Sequence, residues 1–454
     1  NVFVNRTLNL KKTRFIGFDM DHTLVRYNSH NFERLTHQVA IDKLIKAKGY
    51  PSVLNELPFE PDRVIRGLIL DLKNGNLLKL NQFAGIRISY HGLKKIDFAE
   101  QKKMYRSTYI DLADADYLSI DTAFSVSTAL LFSQLVDLKD SDHGRNMPSY
   151  RQIAEDLLQV VDESHQDGSL KDCVRDELEK YIIADPKTVQ GLERFKRHGK
   201  KLFVITNSLF DYTKLLLDYT INPFLKEHKN WQELFDIVVT GAQKPRFFQN
   251  DMPFLRINPE TGTMTNESKN LKNGVFQGGN ARALTDNLGL SGEDILYLGD
   301  HIYGDIVRLK KDCNWRTGLV IEELEQELSV LNQARPLEGK IADLMKKKEP
   351  MEDEVLEMIT SQKDSGKPAD EKKIEDLQEK ISKIDAEIGN IIMEHHELFN
   401  KHWGEVMRIG NEESYFAGQV VRYACVYMPT IADFLDISPR SYLRGARRPL
   451  PHED

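Results

Sequence analysis

Cysteine is scarce in this 454-residue chain: Cys173, Cys313 and Cys425 are far apart and odd in number. That excludes a disulfide framework and any cysteine-based zinc spacing, and it fits a reducing, cytoplasmic compartment. Long hydrophobic runs are missing too. No stretch of 18 apolar residues occurs, and the opening NVFVNRTLNLKKTR lacks the apolar segment of a secretory leader. The absent initiator Met leads us to expect a processed start. Basic excess is also lacking, since 62 Lys+Arg face 70 Asp+Glu for a net charge of -8. That argues against nucleic-acid or membrane partners, which need a positive surface. No repeat of solenoid length is present.

What is present is a set of apolar runs with the look of buried strands: Arg14–Phe18, Lys201–Ile205, Phe235–Thr240, Asp294–Leu298 and Trp315–Ile321. Continuous rather than alternating apolarity predicts a parallel sheet covered on both faces, hence a doubly wound α/β core. The gap between the first two strands is roughly 180 residues, too long for one crossover, so a separate domain is expected there. In it, GLILDLKNGNLLKL reads as a hairpin turning at Asn74-Gly75, and Ser127–Leu138 and Ser149–Asp162 read as helices. The insertion is therefore expected to be α+β. Farther on, Ile374, Leu377, Ile381, Ile384, Ile388, Ile391, His395 and Leu398 recur at helical spacing. A weaker stripe of Ile341, Leu344, Met351, Val355 and Met358 is broken by Pro350, so an antiparallel helical pair is predicted. The expected domains are a core of 1–28 and 185–335, an insertion of 29–184, a helical hairpin of 336–410 and a terminal segment of 411–454.

The chemistry concentrates at strand ends. Asp19 and Asp21, in Phe18-Asp19-Met20-Asp21-His22-Thr23-Leu24, follow the first strand. There one carboxylate could attack phosphorus while the other exchanges a proton with the leaving oxygen and then with water. Alone, the pair fits a turn or helix cap equally well. Thr206 and Asn207 end the second strand with a hydroxyl and an amide suited to phosphate oxygens. Lys244 after the third brings positive charge. Asp300 and Asp305 after the fourth offer the oxygen ligands Mg²⁺ prefers, with Asp305 suited to orienting the shell.

This order of four motifs resembles the haloacid dehalogenase superfamily. The likeness implies a Rossmann-like parallel-sheet core with a large inserted α+β cap and a helical C-terminal extension. It further implies that Asp19 is the nucleophile, Asp21 the general acid/base, and Thr206, Asn207 and Lys244 the phosphate holders. Mg²⁺ would be held by Asp19, Asp300 and the backbone carbonyl of Asp21. The segments DMDHTLVRYN, GLILDLKNGNLLKL, DGSLK, KPRFF, GDHIYGDI and QVVRYA together look like the cytosolic purine 5'-nucleotidase family, from about Thr13 to the end. That family hydrolyses purine nucleoside 5'-monophosphates, GMP and IMP preferred, and can pass the phosphoryl group to another nucleoside. Phe124 matches its stacking aromatic, and Asp162, His165 and Lys171 match its base- and phosphate-side residues. A carboxylate such as Asp162 accepts from the N1–H of guanine or hypoxanthine, whereas adenine presents an acceptor there. Leu158 and Ser125 depart from the family's arginine and asparagine. Tyr303, Lys311, Gln419 and Tyr423 match a nucleotide effector site, although Asp111 and Asp121 replace basic and amide positions. A homo-oligomer, dimer or tetramer, is expected. The rival readings are a phosphatase of another small phosphomonoester and a noncatalytic nucleotide-sensing scaffold.

Overall fold

The computed structural model describes residues 1–105, 109–122, 125–144, 146–267, 270–366, 370–447, 450 and 452–453. Seven strands form the parallel part of its main sheet. They are β1 (Phe15–Phe18), β2 (Lys201–Ile205), β3 (Ile237–Thr240), β4 (Gly274–Gly278), β5 (Ile295–Gly299), β6 (Arg316–Val320) and β7 (Val426–Met428). Their order across the sheet is β7-β6-β5-β1-β2-β3-β4, every neighbouring pair being parallel. Phe3–Val4 pairs antiparallel with β7 at one edge. At the other edge the antiparallel strands Phe254–Ile257 and Met264–Glu267 follow β4.

Alternate residues of each strand enter opposite layers, as a period of two requires. Ile16, Phe18, Leu202, Val204, Val238, Leu296 and Leu298 join one buried cluster. Phe15, Phe203, Ile205, Ile237, Val239, Ile295, Tyr297 and Trp315 join the other. Both faces are thus covered, the reason these sequences carry no polar alternation. β1 lies at the centre, and the chain builds outward from it first on the β2 side and then on the β5 side. The crevice beyond the carboxyl ends of β1 and β5 is therefore a topological switch point.

Between β1 and β2 lies a second, antiparallel sheet with the order Lys94–Lys95, Ile86–His91, Asn76–Leu80, Ile69–Asp71, Tyr117–Ser119. Asp71 pairs with Asn76 across a turn in which Gly75 has φ 73°, a conformation glycine adopts without a Cβ penalty. Helices Ser29–Lys48, Val126–Asp140 and Tyr150–Gln166 pack on one another beside it. Residues 324–405 form a compact unit of their own. Cross-helix ion pairs Lys348–Asp385 at 2.9 Å and Lys373–Glu354 at 2.5 Å show its two helices running antiparallel. Pro350, expected to break the first stripe, lies inside one helix, Glu323–Ser365. Its ring removes one backbone N–H, and the turns on either side continue the helix. No helix among the described residues is long and apolar enough to cross a membrane.

A Cβ added at Gly17, in the middle of β1, would stand 2.2 Å from Cζ of Phe203. Gly17→Ala should therefore lower stability by about 1–3 kcal/mol through overpacking, measured by urea unfolding. An unchanged midpoint would show that the Phe203 ring can give way.

Candidate functional site

The ends of β1, β2, β3 and β5 converge on one buried cluster. After Phe18 the chain leaves the sheet, and His22 takes a left-handed φ of 55°. The turn is closed by Leu24 N donating to Asp19 O at 3.3 Å and Val25 N to Met20 O at 2.8 Å. Lys244 reaches Asp19 from the loop after β3. That loop is tied to the one after β2. Asn207 brackets the Lys244 backbone, its Nδ2 donating to Lys244 O at 3.1 Å and its Oδ1 accepting from Lys244 N at 2.6 Å. Ala242 N also donates to Thr206 O at 3.0 Å.

The Lys244 ammonium lies 2.7 Å from Asp19 Oδ1 and 2.7 Å from Asp305 Oδ1, and it donates to the Tyr297 hydroxyl at 3.1 Å. Tyr297 in turn donates to the carbonyl of Ile205 at 2.9 Å. Burial pushes the Asp19 carboxyl well above its usual range, and the charges of Asp305, Asp300 and Asp21 add to that, against the pull of Lys244. Burial opposes the charge on Lys244, but Asp19 and Asp305 outweigh it and hold the ammonium firmly protonated. Asp300 is raised by burial and by Asp305, against the pull of His22 and Arg66.

Asp19, Asp300 and Asp305 each offer a carboxylate oxygen within 4.8 Å of the others. Among the described residues Lys244 alone bridges two of these acids, one ammonium against three carboxyl groups. Oδ2 of Asp300 is buried without a hydrogen-bond partner among the described residues. The backbone of Asp300 is anchored by Arg66, whose Nη1 donates to its carbonyl at 3.2 Å. A divalent cation with oxygen preference fits this donor set, because it would satisfy the orphaned oxygen and neutralise the excess charge.

Asp21, two residues from Asp19, is held by hydroxyls. Oδ1 accepts from Tyr27 at 2.7 Å, and Oδ2 accepts from Ser208 at 2.9 Å and Thr206 at 3.3 Å. Tyr27 and Tyr297 were not singled out from sequence. Their signal is the buried hydroxyl, which requires a partner.

Asp162 and His165 share the helix Tyr150–Gln166, and Lys171 begins the next. His165 is influenced by the charges of Lys171, Asp162 and Asp21, and its ring centroid lies 6.4 Å from that of Phe32. The Lys171 ammonium lies 5.1 Å from the Tyr212 ring centroid. Phe124 falls outside the described residues. Of the effector candidates, Lys311 lies over the Tyr423 ring at 5.4 Å, and Gln419 is one helical turn before Tyr423. Tyr303 accepts from Arg308 Nε at 2.8 Å. Asp121 is 3.8 Å from His301, whereas Asp111 is exposed in a turn.

A family model described as the 5' nucleotidase family matches residues 2–454. The chain belongs to that family. Membership makes it a hydrolase acting on phosphomonoesters, the chemistry that a strand-end cluster of carboxylates and lysine suits. A 5'-nucleotidase domain-containing protein of Dictyostelium discoideum is 28% identical over 465 aligned positions, covering 100% of this chain and 75% of that protein. A solved hydrolase from Pseudomonas syringae aligns with 68% of this chain and 84% of its own at 13% identity, with a TM-score of 0.23.

Burial, reinforced by Lys171, pulls His165 down to about 4, below its ordinary 6.5. The unfolded chain then binds more protons between those values, so stability falls as pH drops through that window. His165→Gln should flatten this slope in urea titrations at pH 7 and pH 5. An unaltered slope would show that His165 is not the group responsible.

Proposed function

We propose that the protein hydrolyses purine nucleoside 5'-monophosphates, GMP and IMP preferred, in a Mg²⁺-dependent reaction through an aspartyl-phosphate on Asp19. The observation that carries this reading is the Lys244 ammonium wedged between Asp19 and Asp305, with Asp300 grouped with both and its Oδ2 unpartnered among the described residues. Phosphoryl transfer asks for positioning and charge neutralisation more than for covalent work. Asp19, Asp300 and the backbone carbonyl of Asp21 would hold Mg²⁺. When bound, Mg²⁺ supplies charge that lets a carboxylate approach a phosphate dianion.

In the first half, an Asp19 oxygen bonds to phosphorus as the bond to the 5' oxygen breaks. Asp21 gives its proton to the departing nucleoside oxygen. In the second half, water attacks phosphorus and passes a proton to Asp21, and the Asp19 carboxylate is released. A nucleoside hydroxyl taking the place of water gives phosphotransfer by the same route. Lys244 neutralises the phosphoryl group, Thr206 and Asn207 border it, and Asp305 orients Lys244.

Residues 29–184 act as the cap in this reading. Asp162 accepts from purine N1–H, and His165 and Phe124 stack on the base for about 1–3 kcal/mol per contact. A neutral His165 suits stacking. Tyr303, Lys311, Gln419 and Tyr423 form the effector site, the protein works in the cytoplasm, and it assembles as a homo-oligomer. Three free cysteines agree with a reducing location.

Phosphate release from GMP should require Mg²⁺ and stop with EDTA. Asp19→Asn should abolish turnover by at least about a thousandfold while the folded state is retained, as far-UV circular dichroism would report; retained turnover would remove Asp19 as nucleophile. Asp162→Ala should reduce kcat/KM for GMP and IMP by about tenfold or more while sparing an aryl phosphate. Equal losses on both would remove its base-reading role.

A further inference from the structure

Asp21 has to present a carboxyl oxygen to two different partners in turn, the departing nucleoside oxygen and then a water. A carboxyl free to spin about its Cβ–Cγ bond would do this poorly, because proton transfer demands hydrogen-bond geometry. In this fold the carboxyl does not spin. One oxygen takes the Tyr27 hydroxyl at 2.7 Å, and the other takes Ser208 at 2.9 Å and Thr206 at 3.3 Å.

Tyr27 is itself held. Its backbone lies in the short strand Arg26–Tyr27, paired antiparallel with Ile182–Ile183. Its ring stacks on His22 at 4.6 Å and meets the edge of Phe32 at 5.0 Å. Its oxygen is 3.1 Å from the Tyr212 hydroxyl. Tyr27 has a single hydroxyl hydrogen, and that hydrogen points to Asp21. In the contact between the two phenols Tyr212 must therefore be the donor. The order of donation runs Tyr212 to Tyr27 to Asp21 Oδ1. That order reserves Oδ1 as an acceptor. Oδ2 is the oxygen left to exchange a proton, and its neighbours Ser208 and Thr206 can each rotate a hydroxyl to donate or accept.

We propose that Tyr27 is a positioning residue for the acid/base step, fixing the Asp21 carboxyl so that Oδ2 serves the leaving oxygen, with Tyr212 orienting Tyr27. This rests on the aspartyl-phosphate reading above. The step assisted is the cleavage of the phosphorus–oxygen bond to the nucleoside, in which Asp21 loses its proton to the 5' oxygen as Asp19 gains the phosphoryl group.

Leaving-group chemistry separates this role from a merely structural one. A nucleoside alkoxide needs a proton to depart, whereas p-nitrophenolate leaves without one. The test measures the pre-steady-state burst of guanosine from GMP and of nitrophenolate from p-nitrophenyl phosphate. It uses the full chain with saturating Mg²⁺, comparing the parent protein, Tyr27→Phe, Tyr212→Phe and Asp21→Asn. Tyr27→Phe should slow the guanosine burst about 10- to 100-fold, within the range for a general acid, with KM for GMP little altered. Its nitrophenolate burst should stay within about threefold of the parent. Asp21→Asn should show the same contrast more strongly, and Tyr212→Phe more weakly. Tyr212→Phe also carries the test if Tyr27→Phe folds poorly, which thermal unfolding would report. Equal slowing of both bursts, or an unchanged guanosine burst, would overturn the positioning role. If the parent protein, incubated with GMP phosphate-labelled with ³²P and quenched in acid, held no hydroxylamine-labile phosphate, and oxygen-18 water gave inverted rather than retained configuration at phosphorus, the aspartyl-phosphate reading would fall and this inference with it.

Discussion

The buried ammonium of Lys244 is the contact on which the site depends. Asp19, Asp300 and Asp305 bring negative charge into a low-dielectric place, where each would repel the others and be costly to desolvate. Lys244 touches two of them at 2.7 Å and relieves part of that cost. Removing one partner of such a buried set typically destabilises by about 3–5 kcal/mol. Lys244 can be there because the loop after β3 is pinned to the loop after β2 through Asn207 and Thr206. Those loops meet because β3, β2, β1 and β5 are parallel and release their chains at the same edge. Sheet topology thus fixes a charge arrangement of three carboxylates and one ammonium.

Two carboxylates only two residues apart receive opposite treatment. Asp19 faces an ammonium and other acids, and its Oδ1 also accepts from the backbone N–H of Met20 at 2.7 Å. Asp21 faces three hydroxyls, those of Thr206, Ser208 and the ring-packed Tyr27. A carboxylate beside a fixed positive charge is suited to attack. One oriented by neutral donors and acceptors is suited to exchange protons, since those donors can reverse direction. Environment, more than residue type, divides the labour.

The same contrast explains what could be read from sequence. Strands β1, β2, β3, β5 and β6 were legible because both faces of a parallel sheet are buried and leave an unbroken apolar run. The acids, the lysine and the Thr206-Asn207 pair were legible because they stand where the chain exits such strands. β7 was not, since it joins the sheet from more than a hundred residues beyond β6 and only tertiary packing pairs them. The edge strand Met264–Glu267 was not either, being largely exposed and polar. Tyr27 and Tyr297 stayed hidden for a different reason. A buried tyrosine and a buried phenylalanine look alike to hydropathy, and only coordinates show where the hydroxyl points. Helical spacing failed to anticipate that Pro350 is carried within a helix, because the cost of one missing N–H is set against the packing of the whole hairpin.

His165 and Lys171 show how the inserted segment bears on this chemistry. Lys171 sits over the ring of Tyr212, the phenol next to Tyr27, and His165 feels the charge of Asp21. In the proposed reading, a ligand engaging these residues would reach the neighbourhood of the hydroxyls that hold the Asp21 carboxyl. Had His165 been charged at neutral pH, a second cation would stand beside Lys171 and compete for Asp21. Burial keeps the imidazole neutral, with Lys171 adding to the effect, so Asp21 is left to its hydroxyl partners. In the proposed reading, the insertion would bring a ring and an ammonium to the substrate without disturbing the hydroxyl contacts of Asp21.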